Sequence, residues 1–226
     1  MSKPSSRRQF LGALTLVGAG VGINALAMRG LRMPLMAEPR HVKHEARHPE
    51  DNFTVSADSA FYTGVEGPFL SWRAFAPEPT LKMQGVFQVT VDNIHPQAIL
   101  SSEGGGQIRE ESIDGLKRTV LGDTEPGKEL RLHWQVPFAE SYRFAAIGDT
   151  GGGRELEWTL RQAHQLGAQF LLLLGDLYYQ PGDDINVLRN LSRSPVPVYA
   201  AYGNHDIVRG FDQNLLHWFE RGVGPR

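Results

Sequence analysis

The chain has 226 residues, 41% of them hydrophobic, a formal charge of −2 and no cysteine. That composition is globular and not disordered, and the length leaves room for one ordinary domain and a smaller one. Without cysteine there are no disulfides or thiolate metal sites, so any metal must be held by oxygen and imidazole ligands. The mild acidity gives no electrostatic reason to expect nucleic-acid or membrane-surface binding.

Residues 1–28, "MSKPSSRRQFLGALTLVGAGVGINALAM", open with Lys3, Arg7 and Arg8 and run into an apolar but glycine-rich stretch. "SRRQFLG" resembles the twin-arginine export signal, and Ala25-Leu26-Ala27 offers a small-residue cleavage site. Gly12, Gly18, Gly20, Gly22 and Asn24 dilute the hydrophobicity below that of a stable span. The expectation is an exported protein, periplasmic or extracellular. It is delivered by the twin-arginine machinery and touches the membrane only through the signal, where that stays uncleaved. The leader carries three basic residues and no acid, so its removal takes the formal charge from −2 to −5. Resemblance to twin-arginine substrates implies passage in the folded state, a route often taken by proteins that load a cofactor first.

Residues 29–52 read as a polar linker. His41, His44 and His48 could share a helical face and hold a metal weakly, but no second cluster completes a site, and a solvated linker is the simpler reading. Over 53–138 the texture becomes that of short strands. "GVFQVTVDNIHP" and "LRLHWQVP" carry alternating or β-branched apolar residues, separated by the turn-rich, polar segment 101–129. This predicts a small antiparallel β domain, a sandwich or a meander, with no catalytic constellation. His95 and His133 read as packed or surface histidines.

From 139 to 226 the pattern alternates. "YRFAAIG" reads as a buried strand, and "GGGRELEWTLRQAHQLG" as a helix with Leu156, Thr159, Leu160 and Ala163 inward and Gly167 at its end. "QFLLLLG" is a second strand, a short helix falls around 186–191, and "PVYAAYG" is the third. Apolar runs separated by helical segments predict an α/β arrangement with a parallel sheet covered on its faces.

Each of these strands stops at glycine and then delivers polar groups: Asp149; Asp176 with Tyr179; and Asn204, His205 and Asp206. Asp149, Asp176 and Asn204 lie 27 and 28 residues apart, one strand–helix–strand step each. Ligand sites in open α/β sheets lie beyond the carboxyl ends of the strands, so parallel strands bring all three sets to one edge. Singly, each has a bland reading: Asp149 as a helix cap, the glycines as an anion-binding nest, Asp176 as the start of a turn. Jointly, two carboxylates, a phenol, an amide and an imidazole at one edge point to a pair of metal ions held by hard oxygen donors.

"GDTGG", "GDLYY" and "GNHD" resemble the first three blocks of the calcineurin-like metallophosphoesterase superfamily. The resemblance is closer to its purple acid phosphatase branch, because Gly151 replaces the usual histidine and Tyr179 completes Gly-Asp-x-x-Tyr. It implies an α/β/β/α sandwich preceded by a small β-sandwich-like domain, and an acid phosphatase that hydrolyses phosphomonoesters by attack of metal-bound hydroxide. By it, Asp149 and Tyr179 hold the first metal, Asp176 bridges and Asn204 holds the second, the pair being iron with iron, zinc or manganese. His205 would assist the leaving group and Asp206 would support it. The later Val-x-x-His and Gly-His-x-His blocks are absent from the 226 residues, and His217, alone in an apolar segment, is a poor substitute. The resemblance therefore implies that only the first half of the sandwich is present and that this length is inactive alone. The other readings are a phosphodiesterase or nucleotidase of the same superfamily, and a non-catalytic exported protein that binds phosphate or a metal. A nucleotide-binding loop is disfavoured, since neither Gly-Lys-Ser/Thr nor Gly-x-Gly-x-x-Gly follows "GDT".

Overall fold

The computed structural model describes residues 45–47, 53–137, 142–208 and 223. The export signal, His41, His44, His48 and His217 lie outside the described residues. The described residues all fall within one compact unit.

Strands β1 (Glu45–Arg47), β2 (Thr54–Asp58), β3 (Ala60–Glu66), β4 (Phe69–Ala74), β5 (Thr80–Gln84) and β6 (Val86–Asp92) are followed by β7 (Ile99–Gly104), β8 (Gly106–Asp114), β9 (Lys117–Thr124) and β10 (Leu130–Gln135). They build two five-stranded sheets, ordered β1-β2-β5-β10-β7 and β3-β4-β6-β9-β8. Period-two alternation sets the inward face. Leu130, Leu132 and Trp134 point in from β10, and Leu70, Trp72 and Ala74 from β4. They meet in a single hydrophobic core fed by both sheets, with Val55, Leu81 and Met83 from one and Phe87, Val89 and Val120 from the other. Each large side chain buried there contributes about 1.5–3 kcal/mol.

Two features differ from the sequence reading. The polar segment 101–129 is strand over most of its length, and β8, at the edge of its sheet, is largely exposed, which is why its composition reads as loop. The pairing of β4 with β6 is parallel, so that sheet is not wholly antiparallel.

The second part alternates β11 (Phe144–Ile147), α1 (Arg154–Gln165), β12 (Phe170–Leu173), α2 (Asp183–Ser192), β13 (Val198–Ala200) and α3 (Asn204–Val208). The three strands form a parallel sheet in the order β11-β12-β13. Helix α1 buries Leu156, Thr159, Leu160 and Ala163, the expected stripe. Gly167, at φ +76°, takes the left-handed conformation that closes a helix at little cost. Ala145, Ile147, Leu171, Leu173 and Val198 face the helices in a second core with Leu160, Val187 and Leu191. The other sheet face is aromatic among the described residues. It carries stacked Phe144 and Phe170, with ring centroids 5.5 Å apart, and Tyr199 at 5.9 Å from Phe170. Phe144 is 51% exposed.

Candidate metal centre

The three strand ends stay zipped beyond the sheet. Leu174 N–H donates to the Ile147 carbonyl at 2.7 Å, Ala201 N–H to Leu173 at 2.8 Å, and Asp149 N–H to Gly175 at 3.2 Å. The loops after β12 and β13 then pass so closely that only glycine fits. A Cβ on Gly203 would lie 2.1 Å from Asp176 Oδ1, and one on Gly175 would lie 1.9 Å from the Gly203 nitrogen. Asp149 and Asp176 both sit in the left-handed region, at φ +59° and +58°. Residues other than glycine visit it rarely, Asp more easily than most, and such strain concentrates at functional sites.

The contacts link the expected residues in a chain. Tyr179 Oη donates to Asp149 Oδ1 at 3.1 Å, and the Tyr179 ring lies 4.6 Å, centroid to centroid, from the His205 imidazole. His205 N–H donates to Asp176 Oδ1 at 2.7 Å. Asp176 is buried, while Asp149 and His205 are exposed, as is Asn204 at the first position of α3. Burial, the bond to Asp149 and the field of the Asp176, Asp149 and Asp206 carboxylates push the Tyr179 phenol up to about 12. The phenol is thus a neutral donor to Asp149.

Asp206 has a structural task as well. Its Oδ2 accepts the Asp176 and Gly203 amides at 2.8 and 2.9 Å, and its Oδ1 accepts Leu177 and Tyr178 at 2.7 and 3.0 Å. Both oxygens are spent on backbone. The residue holds the Asp176 loop in place from the position next to His205.

Two contributors escape sequence reading. Asp183 Oδ2 accepts the Tyr179 and Gln180 amides at 2.9 and 3.0 Å, which fixes the backbone from which the phenol reaches Asp149. Asn190 Nδ2 donates to the Gly152 and Gly153 carbonyls at 3.1 and 3.4 Å, tying the glycine loop to α2. Asp183 had a faint signal, as an acid after Pro-Gly at a helix start; Asn190, inside a helix, had none.

The donor chemistry suits hard cations. Asp149, Asp176, Tyr179 and Asn204 offer only oxygen ligands. Among the described residues no Lys or Arg pairs with Asp149, Asp176 or Asp206, so no side-chain cation there offsets their negative charge. No cluster of three or more His, Asp or Glu able to hold a metal forms among the described residues, so a site built from them must use the phenol and carboxamide oxygens as well.

Residues 142–225 match the family model of the calcineurin-like phosphoesterases. The matched segment contains all six residues named above as ligands or catalytic groups. The match supports reading it as a metal-dependent phosphoesterase domain, a hydrolase of phosphate esters from a family that generally binds two metal ions. Comparisons with curated proteins and with solved structures give no match.

Proposed function

We propose that the chain is an exported phosphoesterase of the purple acid phosphatase type, acting on phosphomonoesters through a two-metal centre. The observation that carries this is the run of contacts from Asp149 through Tyr179 and His205 to Asp176, at one edge of a parallel sheet. The tyrosine after Gly-Asp-x-x, in hydrogen-bond contact with the first aspartate, supports the purple branch. Phe144, stacked on Phe170 and 51% exposed among the described residues, supports a second sheet on that face, as in an α/β/β/α sandwich. The arginine pair and apolar run of residues 1–28 support twin-arginine export to the periplasm or beyond.

Asp149 and Tyr179 would hold one metal, Asp176 would bridge and Asn204 would hold the second, with iron in the tyrosine-bearing position and iron, zinc or manganese beside it. Such a pair supplies Lewis-acid charge for the phosphoryl oxygens and lowers the pKa of bound water to about 7. His205, exposed at the mouth and braced on the Tyr179 ring, donates a proton or hydrogen bond to the departing alcohol oxygen. Asp206 and Asp183 position the loops through their backbone hydrogen bonds.

Metal counting and p-nitrophenyl phosphate hydrolysis on the purified chain test the reading. Asp149→Asn and Asp176→Asn should weaken metal binding about tenfold or more. Iron loading should give a visible phenolate band that Tyr179→Phe removes. Iron binding unchanged in both aspartate variants, or a colourless iron-loaded wild type, overturns the assignment.

A further inference from the structure

Helices α1 and α2 leave between them a cleft of about 380 Å³, within the size range of small-molecule sites. None of the metal-centre residues lines it. Four guanidinium groups do: Arg154 and Arg161 from α1, Arg189 from α2 and Arg193 at its end, against a single carboxylate, Glu157. That carboxylate is already engaged by Arg161, one helical turn away. Arg189 Nη1 donates to Asn186 Oδ1 at 3.2 Å, and among the described residues no carboxylate pairs with Arg154, Arg189 or Arg193. Like charges gathered around one concavity repel each other and focus a positive potential into it, and an anion relieves both.

We propose that this cleft binds a compact, multiply charged, phosphate-bearing anion of the polyphosphate kind. Guanidinium forks match phosphate oxygens in pairs, and four forks on two helices suit several linked phosphates better than one isolated charge. The floor is pre-organised. Leu160 is buried beneath it, and the Asn190 amide is occupied by the Gly152 and Gly153 carbonyls, so the guanidiniums supply the recognition. The lining contains no histidine, serine or cysteine, and its chemistry is that of an anion-binding site. An anion there would bridge α1 and α2 beside the loop that follows Asp149.

The test is calorimetric titration of the chelator-treated full chain with inorganic tripolyphosphate at low ionic strength, so that metal-centre binding does not contribute. One tripolyphosphate per chain is expected. Affinity should fall about tenfold or more in the Arg154→Gln/Arg193→Gln variant, which alters exposed side chains only, and stay unchanged in Asp149→Asn. Orthophosphate should bind more weakly. Absence of binding, equal binding by the double arginine variant, or loss of binding in Asp149→Asn overturns the proposal. Tighter binding of hexaglutamate than of tripolyphosphate also overturns it, in favour of an acidic peptide.

Discussion

A carboxylate that accepts four backbone amides is committed to architecture, and Asp206 is such a group. Truncating it leaves the amides of Asp176, Leu177, Tyr178 and Gly203 without their acceptor, and an unsatisfied buried polar group costs about 1–3 kcal/mol. Asp206→Ala is therefore expected to lose about 3 kcal/mol or more of unfolding free energy in metal-free protein. Asp206→Asn, which keeps one acceptor oxygen but presents an NH₂ where the other stood, should fall between the two. Urea unfolding checks this, and an Asp206→Ala protein as stable as wild type but slow in turnover would assign the residue to substrate instead. At this scale the sequence is readable where a residue type carries its own chemistry. Asp149, Asp176 and His205 stand out because three apolar runs each end at glycine and deliver them to one sheet edge; singly, each step has an ordinary turn or cap reading. The task of Asp206 is hidden, since three of its four partners lie 28 to 30 residues away and become neighbours only when the loops after β12 and β13 come together.

Those two loops act as a unit. Their approach is close enough that Gly175 and Gly203 serve as spacers, and the Asp176 carboxylate lies where a Gly203 side chain would be. Gly203→Ala must therefore displace Asp176 or push the β13 end away from β12. The expected cost is about 1–3 kcal/mol, the range of overpacking in a tight interior, with metal affinity falling alongside. Thermal unfolding and metal counting on the same preparation check this, and metal binding unchanged in Gly203→Ala would show that the loops have slack. The elements that support this junction were legible, because continuous apolar runs ended by glycine and divided by a 3.6-period stripe leave little ambiguity. Strands β7 to β9 were not. Edge strand β8 exposes polar side chains on both faces, so the period-two signal that marks a half-buried strand is missing. The parallel pairing of β4 and β6 is likewise a property of sheet order, which no local pattern encodes.

At the scale of the whole molecule, the two hydrophobic cores are joined by a polar seam. Asn93, just after β6 and 2% exposed, donates through Nδ2 to the Ala74 and Val198 carbonyls and accepts the Val198 amide at Oδ1, each at 2.8 Å. Its side chain thus imitates a strand partner for β13. Beside it the buried Arg73 feels Asp92 and Tyr199, and burial lowers its guanidinium to about 10, with two of its nitrogens lacking hydrogen-bond partners. A cation so buried gains hydration wherever the seam opens, so the coupling between the two cores rests on the three Asn93 bonds. Wild type is therefore expected to melt in one transition with equal calorimetric and van't Hoff enthalpies. Asn93→Ala removes three bonds and leaves the Val198 amide buried without an acceptor, a loss of about 3 kcal/mol. It should also uncouple the parallel sheet, so that the transition broadens or splits. Asn93→Asp, which keeps the acceptor for Val198 but loses both donations, should retain more coupling than Asn93→Ala. Because β13 leads directly into Asn204 and His205, the same variant should weaken metal binding although it touches no ligand. A single sharp transition in Asn93→Ala with metal affinity intact would mean that the β-rich part and the metal centre fold together for another reason than this seam.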